Sequence, residues 1–312
     1  MLSRVANNLY WMGRYIERAD HFARYSKVLY FSSLDAPILK TYDRNFVLDS
    51  ILYMAGIFDM EGSTEKEVLF KIGLDPENSN SILSNITFAR ENARGARNAI
   101  STDLWEAINK YYHLITNYPK ETYLSTGFDN FTQIILDQTS IVSSKIYGTL
   151  MHDEEWAIIL IGMYIERVIQ IIRIINSKLH DIYKIEQAGH PVTEMSFEWT
   201  TMLRCLESLD MNRKFYRTVP DRAQVLEFLM LNPHCPRSIA YSLNGIRRYE
   251  EKISRNESKD SNTISFKIGK LFEQYRYLSF DEYKDDIYGL LNSTQDKVIE
   301  IGSELEKKYL SF

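Results

Sequence analysis

A chain of 312 residues with a formal net charge of −5 at pH 7 offers no bulk attraction to nucleic acid or to an anionic membrane surface. Hydrophobic residues make up 45% and charged residues 25%, an ordinary globular composition. Only 13 Gly and 7 Pro punctuate this length, so turns are sparse and elements long, which disfavours a turn-rich β fold.

In chain order, helical periodicity predicts helices over 3–33, 40–58, 64–73, 79–117, 125–150, 153–186, 194–216, 221–231, 236–256, 261–277 and 282–310. The prolines fall between these segments, where a missing N–H and a fixed φ do least harm. No segment sustains the strict apolar–polar alternation, bounded by hairpin turns, that strands require. The expected fold is all-α, a large multi-helix bundle in a single domain over 1–312, with 1–150 and 151–312 as two related halves.

The second half is suggested by a repeat. "GRYIER" at Gly13–Arg18 returns as "GMYIER" at Gly162–Arg167, an offset of 149 residues, and each copy has an arginine six residues later, Arg24 and Arg173. Along the first helix Val5, Leu9, Met12, Ile16, Ala19 and Ala23 form an apolar stripe at steps of three and four. Trp11, Tyr15 and Phe22 lie on another side. Between them runs a polar line of Tyr10, Arg14, Glu17, His21 and Arg24; its counterpart in the second copy is Glu166, Gln170 and Arg173. A helix apolar on two sides is enclosed, so these charges face protein. They are either internal ion pairs that fix helix register or the lining of a ligand site.

Two further stretches carry arginine. In "ARENARGARNAISTDLWEAIN", Arg90, Arg94 and Arg97 stand four and three apart, so one helix face would hold all three. Like charges at that spacing repel, and Glu17, Glu166 or a bound anion would have to compensate. Arginine's planar fork suits a carboxylate or a phosphate equally. In "LNPHCPRSIAYSL", Pro236 is expected to open a helix, placing Arg237 and Ser238 in its first turn beside free N–H groups.

Several chemistries find no motif. No His has a Glu three residues before it, as di-iron bundles need, and there is no paired-cysteine zinc pattern, phosphate loop, dinucleotide fingerprint or nucleophile elbow. No metal and no cofactor is therefore assigned. Cys205 and Cys235 are too few for a disulfide framework and imply a reducing compartment. The longest apolar run, Trp156–Ile165, is ten residues, far short of a membrane span, so a cytoplasmic protein is expected. General-base catalysis by Glu17 or Glu166 is an alternative to binding, but neighbouring arginines should keep either carboxylate ionised and a poor base.

The stretches "MLSRVANNLYWMGRYIERADHFAR", "RENARGARNAISTDLWEAIN", the second "YIER" and "VLEFLMLNPHCPRSIAYSL" together resemble the bacterial alpha-E family, all-helical domains named for a Glu-Arg motif. The similarity covers nearly the whole chain in the family's order. Asn8, Tyr10, Trp11, Arg14, Glu17 and Arg18 match its first motif, and Arg90, Asn92, Arg94, Arg97, Ser101, Trp105, Glu106 and Asn109 its central one. Glu166 and Arg167 match the second Glu-Arg, and Phe228, Leu229, Pro236, Arg237 and Ser238 the late motif. Asn7 stands where the family often has Glu, and Cys235 where it has an aromatic residue. The resemblance implies a gene neighbourhood with a circularly permuted ATP-grasp ligase, often a transglutaminase-like protein and sometimes an N-terminal-nucleophile amidohydrolase. It implies an accessory role in making, trimming or attaching an amide-linked product. On these grounds Arg14, Glu17, Arg18, Arg90, Arg94, Arg97, Glu166, Arg167, Arg237 and Ser238 are the expected ligand-binding set. A small anionic or peptide ligand and the two proteins are the expected partners.

Overall fold

Two helices of more than thirty residues organise the chain: α1 (Ser3–Asp35) and α8 (Glu154–Gln187). The structure is a computed structural model and describes residues 3–35, 44–60, 62–189, 192–254, 260 and 262–310. At 1.5 Å per residue each long helix extends about 50 Å. They run parallel, because contacts advance in the same direction along both. The Tyr10–Gly13 turn meets the Ile159–Gly162 turn, Arg18 meets Glu166 and Tyr25 meets Ser177.

The two glycines of the repeat make this approach possible, and they do so reciprocally. A Cβ on Gly13 would lie 2.5 Å from the Ile159 carbonyl oxygen, and one on Gly162 would lie 2.3 Å from that of Tyr10. Ile159 follows Tyr10 by the same 149 residues that separate the glycines. Each helix thus sinks against the other at equivalent positions.

Between the long helices come α2 (Arg44–Ala55), α3 (Glu65–Gly73), α4 (Ile82–Gly95), α5 (Thr102–Thr116), the short α6 (Lys120–Tyr123) and α7 (Phe128–Thr149). After α8 follow α9 (Val192–Cys205), α10 (Leu209–Tyr216), α11 (Arg222–Leu231), α12 (Ile239–Ile253), α13 (Ile264–Tyr277), the short α14 (Phe280–Tyr283) and α15 (Ile287–Leu305). A π-turn over Glu306–Leu310 ends the described chain. α4 and α7 pack on α1, α12 and α15 pack on α8, and α9 packs on both. No strand occurs among the described residues.

The apolar stripe read for α1 lies in the core at Leu9, Met12, Ile16, Ala19 and Ala23, whereas Val5 at the helix start is only partly buried. α8 is buried on nearly every side: Trp156 to Glu166 is one continuous interior run. A helix apolar all round belongs in the middle of a domain, with the others wrapped about it.

Two of the predicted helices divide in the structure, and another starts late. The segment 79–117 divides because Ala96 ends α4, a 3-10 turn follows at Arg97–Ala99, and Ser101 caps α5 by accepting from the Leu104 N–H at 3.0 Å. The segment 194–216 divides at Glu207, whose φ of 51° no helix accommodates. The segment 236–256 starts later than predicted, since Ser238 is the N-cap and the helix proper begins at Ile239. The predicted start of the 40–58 helix and most of the polar turn at 255–262 lie outside the described residues.

Candidate functional site

Where α1 and α8 lie side by side, the two Glu-Arg motifs clamp each other. Arg167 holds Glu17 with two bonds, Nε to Oε1 at 2.6 Å and Nη2 to Oε2 at 3.0 Å. Arg18 holds Glu166 in the same way, Nε to Oε1 at 2.6 Å and Nη2 to Oε2 at 3.0 Å. Each motif supplies one carboxylate and one guanidinium and receives the opposite group from the other copy. Planar guanidinium and carboxylate meeting edge to edge give the strongest geometry available to this pair. Both carboxylates are almost wholly buried, Glu17 at 2% exposure and Glu166 at 0%. Burial alone would raise their pKa values. Arg167 and Arg237 around Glu17, and Arg18 and Arg14 around Glu166, overcome that and hold both below the ordinary range.

A third helix extends each clamp. α12 and α4 begin alike, at Ser238–Ile239 and Ser81–Ile82, with the serine as N-cap. The residue before each cap reaches a clamp. Arg237 donates to Glu17 Oε1 at 3.1 Å, to Asp20 Oδ2 at 3.1 Å and to Glu207 Oε2 at 3.2 Å. Asn80, the counterpart, only accepts from Arg18 Nη1 at 3.4 Å.

The two sides differ in charge. Around Glu17, the arginines Arg24, Arg167 and Arg237 face the carboxylates Glu17, Asp20 and Glu207; Arg24 reaches Asp20 at 3.1 Å and Glu207 at 2.8 Å. Burial opposes ionisation of Asp20, but Arg24 and Arg237 hold its pKa down to about 2. His21 is buried here as the neutral ring. Arginine can only donate, so Arg237 Nη1, 3.3 Å from His21 Nε2, makes that nitrogen the acceptor; the ring proton sits on Nδ1, 2.9 Å from the Glu17 carbonyl oxygen. Burial and Arg237 both lower the His21 pKa.

Around Glu166 the balance is positive. Arg14 donates to Oε2 at 2.9 Å and lies over the Trp11 ring at 4.5 Å, and Gln170 donates to Oε1 at 2.8 Å. Arg173 feels Glu166, Arg18 and Arg14 but makes no hydrogen bond or ion pair with any described residue, and burial lowers its pKa. The repeat explains this. Arg173 corresponds to Arg24, but Ile169 stands where Asp20 would be. Among the described residues the one further carboxylate paired with these arginines is Glu306, 4.0 Å from Arg14 and partly exposed.

The remaining predicted residues are elsewhere or otherwise engaged. Arg90 and Arg94 project from α4 and share Glu91, at 2.6 and 2.5 Å. Their neighbour in sequence, not Glu17 or Glu166, compensates them. Arg97 lies beyond the helix end, in the 3-10 turn, and donates to the Ile100 carbonyl and to Thr102, so the three do not share one helix face. Arg94 is 65% exposed. Ser238 is fully buried, accepting from the Tyr241 N–H and donating to the Asn232 carbonyl, so its hydroxyl is spent on the cap.

A family model described as a predicted alpha-helical domain with a conserved ER motif matches residues 1–310. The chain belongs to the alpha-E family. Uncharacterized proteins of Mycobacterium bovis and Mycobacterium tuberculosis are 24% identical to it over 269 residues, which cover 78% of this chain and 29% of each relative. The alpha-E chain thus spans less than a third of the curated relatives it matches. No solved structure matches it.

Within the alpha-E fold, two motif contacts are structural. Gly95 allows Asn8 to approach, since a Cβ there would lie 2.2 Å from Asn8 Nδ2, and Ser101 bonds Thr149 at 2.6 Å. Sequence reading missed a second buried network deeper along α8. Lys178, at 0% exposure, pairs with Asp181 at 2.9 Å and with Glu198 of α9. Asp181 accepts from Ser50, which joins Tyr25 and through it Ser177, each at 2.8 Å. The available signal was Lys178 and Asp181 three apart, on the same helix line as Ile174 and Ile185. Among the described residues no cluster suited to a metal ion occurs, and no helix is long and apolar enough to cross a membrane.

Proposed function

We propose that this alpha-E chain is an accessory binding module of an ATP-dependent peptide- or amide-forming system, acting in the cytoplasm beside a circularly permuted ATP-grasp ligase and a transglutaminase-like protein. In this reading the Glu166 side of the seam receives an anionic group, a carboxylate or a phosphate, and the Glu17 side is the matching internal clamp. The observation that carries the reading is Arg173, a partly buried arginine with no ion pair to any described residue, beside two others that share one carboxylate. A partly buried guanidinium with no ion-pair partner among the described residues keeps its donors available to a carboxylate or phosphate. Binding rather than acid–base chemistry fits Glu17 and Glu166, since carboxylates held ionised are weak bases. The position of the matched region within much longer relatives supports a module that works with other domains. The reciprocal glycine and Glu-Arg contacts support kinship between the halves 1–150 and 151–312.

The test is tagged purification from the native host at endogenous expression, followed by ligation assays with and without the module. Recovery of an ATP-grasp protein and loss of product in a folded Arg173→Ala variant are expected. A partnerless preparation with full product formation by Arg173→Ala would refute both parts.

A further inference from the structure

Toward the end of α1 a cleft of about 370 Å³ opens against α7 and α9, separate from the residues of the Glu166 clamp. Val28, Phe31 and Leu136 give it an apolar wall, and all three are only partly buried. Arg24, Lys27 and Arg204 give it a cationic rim.

These cations are not equally available. Lys27 is neutralised by Asp129 at 2.7 Å and also donates to Gln133 at 2.8 Å. Arg24 spends its terminal nitrogens on Asp20 and Glu207, yet its Nε–H is buried with no acceptor. Arg204 is exposed and makes no hydrogen bond or ion pair with any described residue. The rim therefore retains one uncompensated charge, that of Arg204.

We propose that this cleft binds a small monoanionic carboxylate bearing an apolar group. A carboxylate brings a single charge to match Arg204 and two oxygens for the planar fork of its guanidinium. Its apolar group would cover Val28, Phe31 and Leu136. A phosphate dianion would bring one charge too many. The volume lies near the lower end of the roughly 300–1,000 Å³ typical of ligand pockets, so the occupant is a small molecule or a chain end rather than a folded surface.

The experiment titrates the full chain with N-acetyl-L-phenylalanine and with its carboxamide, by calorimetry or amide NMR shifts. Saturable binding of the carboxylate is expected, about tenfold tighter than the carboxamide, with a loss of about tenfold in Arg204→Ala, as for one charge-assisted hydrogen bond. Arg204 is exposed, so the variant should fold; Lys66→Ala, also exposed, serves as the control and should bind as the parent. No saturation at millimolar carboxylate, equal binding of the carboxamide, or unchanged binding in Arg204→Ala would overturn the proposal. So would tighter binding of inorganic phosphate. Loss in Arg173→Ala instead of Arg204→Ala would place the carboxylate at the Glu166 clamp and also overturn it, whereas failure here with Arg173→Ala still impaired in ligation leaves the proposed function standing.

Discussion

Glutamine at either motif glutamate keeps the volume and removes the charge, and the two sites should respond unequally. In Glu166→Gln, Arg14 and Arg18 lose their close carboxylate, with side chains only 13% and 15% exposed, and Arg173 loses its nearest opposite charge. Glu306, 4.0 Å from Arg14, is what remains. Leaving buried charges unpaired costs about 3–5 kcal/mol, which for a chain of this size is a fall in Tm of roughly 10 °C. In Glu17→Gln only Arg167 is stranded, because Arg237 keeps Asp20 at 3.1 Å and Glu207 at 3.2 Å. About 2 kcal/mol is expected there, the lower end for one unpaired charged group. Glu166→Gln should also gather three arginines around a vacancy in charge, so phosphate should stabilise it more than the parent; occupancy at 100 times Kd would return about 2.7 kcal/mol. Thermal unfolding of both variants with and without phosphate measures each quantity. Equal losses, or phosphate stabilising Glu166→Gln no more than the parent, would refute the charge asymmetry.

The helix contact makes its own prediction. Gly13→Ala and Gly162→Ala each drive a Cβ against a backbone carbonyl, at 2.5 and 2.3 Å, and should cost about 1–3 kcal/mol by denaturant titration. Both push the same pair apart, so the double variant should cost less than the sum. The pH dependence follows from His21, whose pKa is lowered in the fold. The unfolded chain binds the extra proton first, so stability from this group is complete above about pH 6.5 and is lost as pH falls through the lowered folded value. Glu17, Glu166 and Asp20, the last at about 2, are also depressed and add a second loss below about pH 4. The Tm–pH curve of His21→Gln should lack the first loss and keep the second. Arg94→Ala, which breaks only a surface pair with Glu91, should change stability by no more than about 0.5 kcal/mol.

The fold class was legible because long helices with few glycines and prolines leave little else, and the repeat at Gly13 and Gly162 pointed to the seam that organises them. Spacing along one helix could place Arg14, Glu17, His21 and Arg24 on one line. It could not say which carboxylates Arg14, Arg18 and Arg167 meet, since those partners lie 148 to 152 residues away. Arg90, Arg94 and Arg97 show the opposite failure. Their spacing implied one face, but Ala96 and Ser101 end one helix and start another, and Glu91 lies close enough to satisfy two of the three. The start of the helix at Pro236 was misplaced by three residues, enough to turn Ser238 from a first-turn residue into the N-cap. Asp20 and Glu207 were invisible as site residues. Arg237 comes from the far end of the chain, and only the fold brings it to them.

The same network predicts how a charge exchange will behave. In Glu17→Arg/Arg167→Glu the pair is retained with reversed sign, and the new arginine meets Arg237, formerly 3.1 Å from the carboxylate. Arg237 can remain on Asp20 and Glu207, so the double variant should recover part of the loss seen in either single change. In Arg18→Glu/Glu166→Arg the new arginine meets Arg14, formerly 2.9 Å from Glu166, and adds to the charge felt by Arg173. Arg14 then has only Glu306, 4.0 Å away and partly exposed, and Arg173 pairs with no described carboxylate. The coupling from double-mutant cycles should be about 1–3 kcal/mol at 17/167 and near zero at 18/166. Equal rescue at both would mean that each Glu-Arg pair acts alone. Rescue only at 17/167 would mean that each glutamate is a hub for arginines from several helices, and that the hub at Glu166 is short of one negative charge.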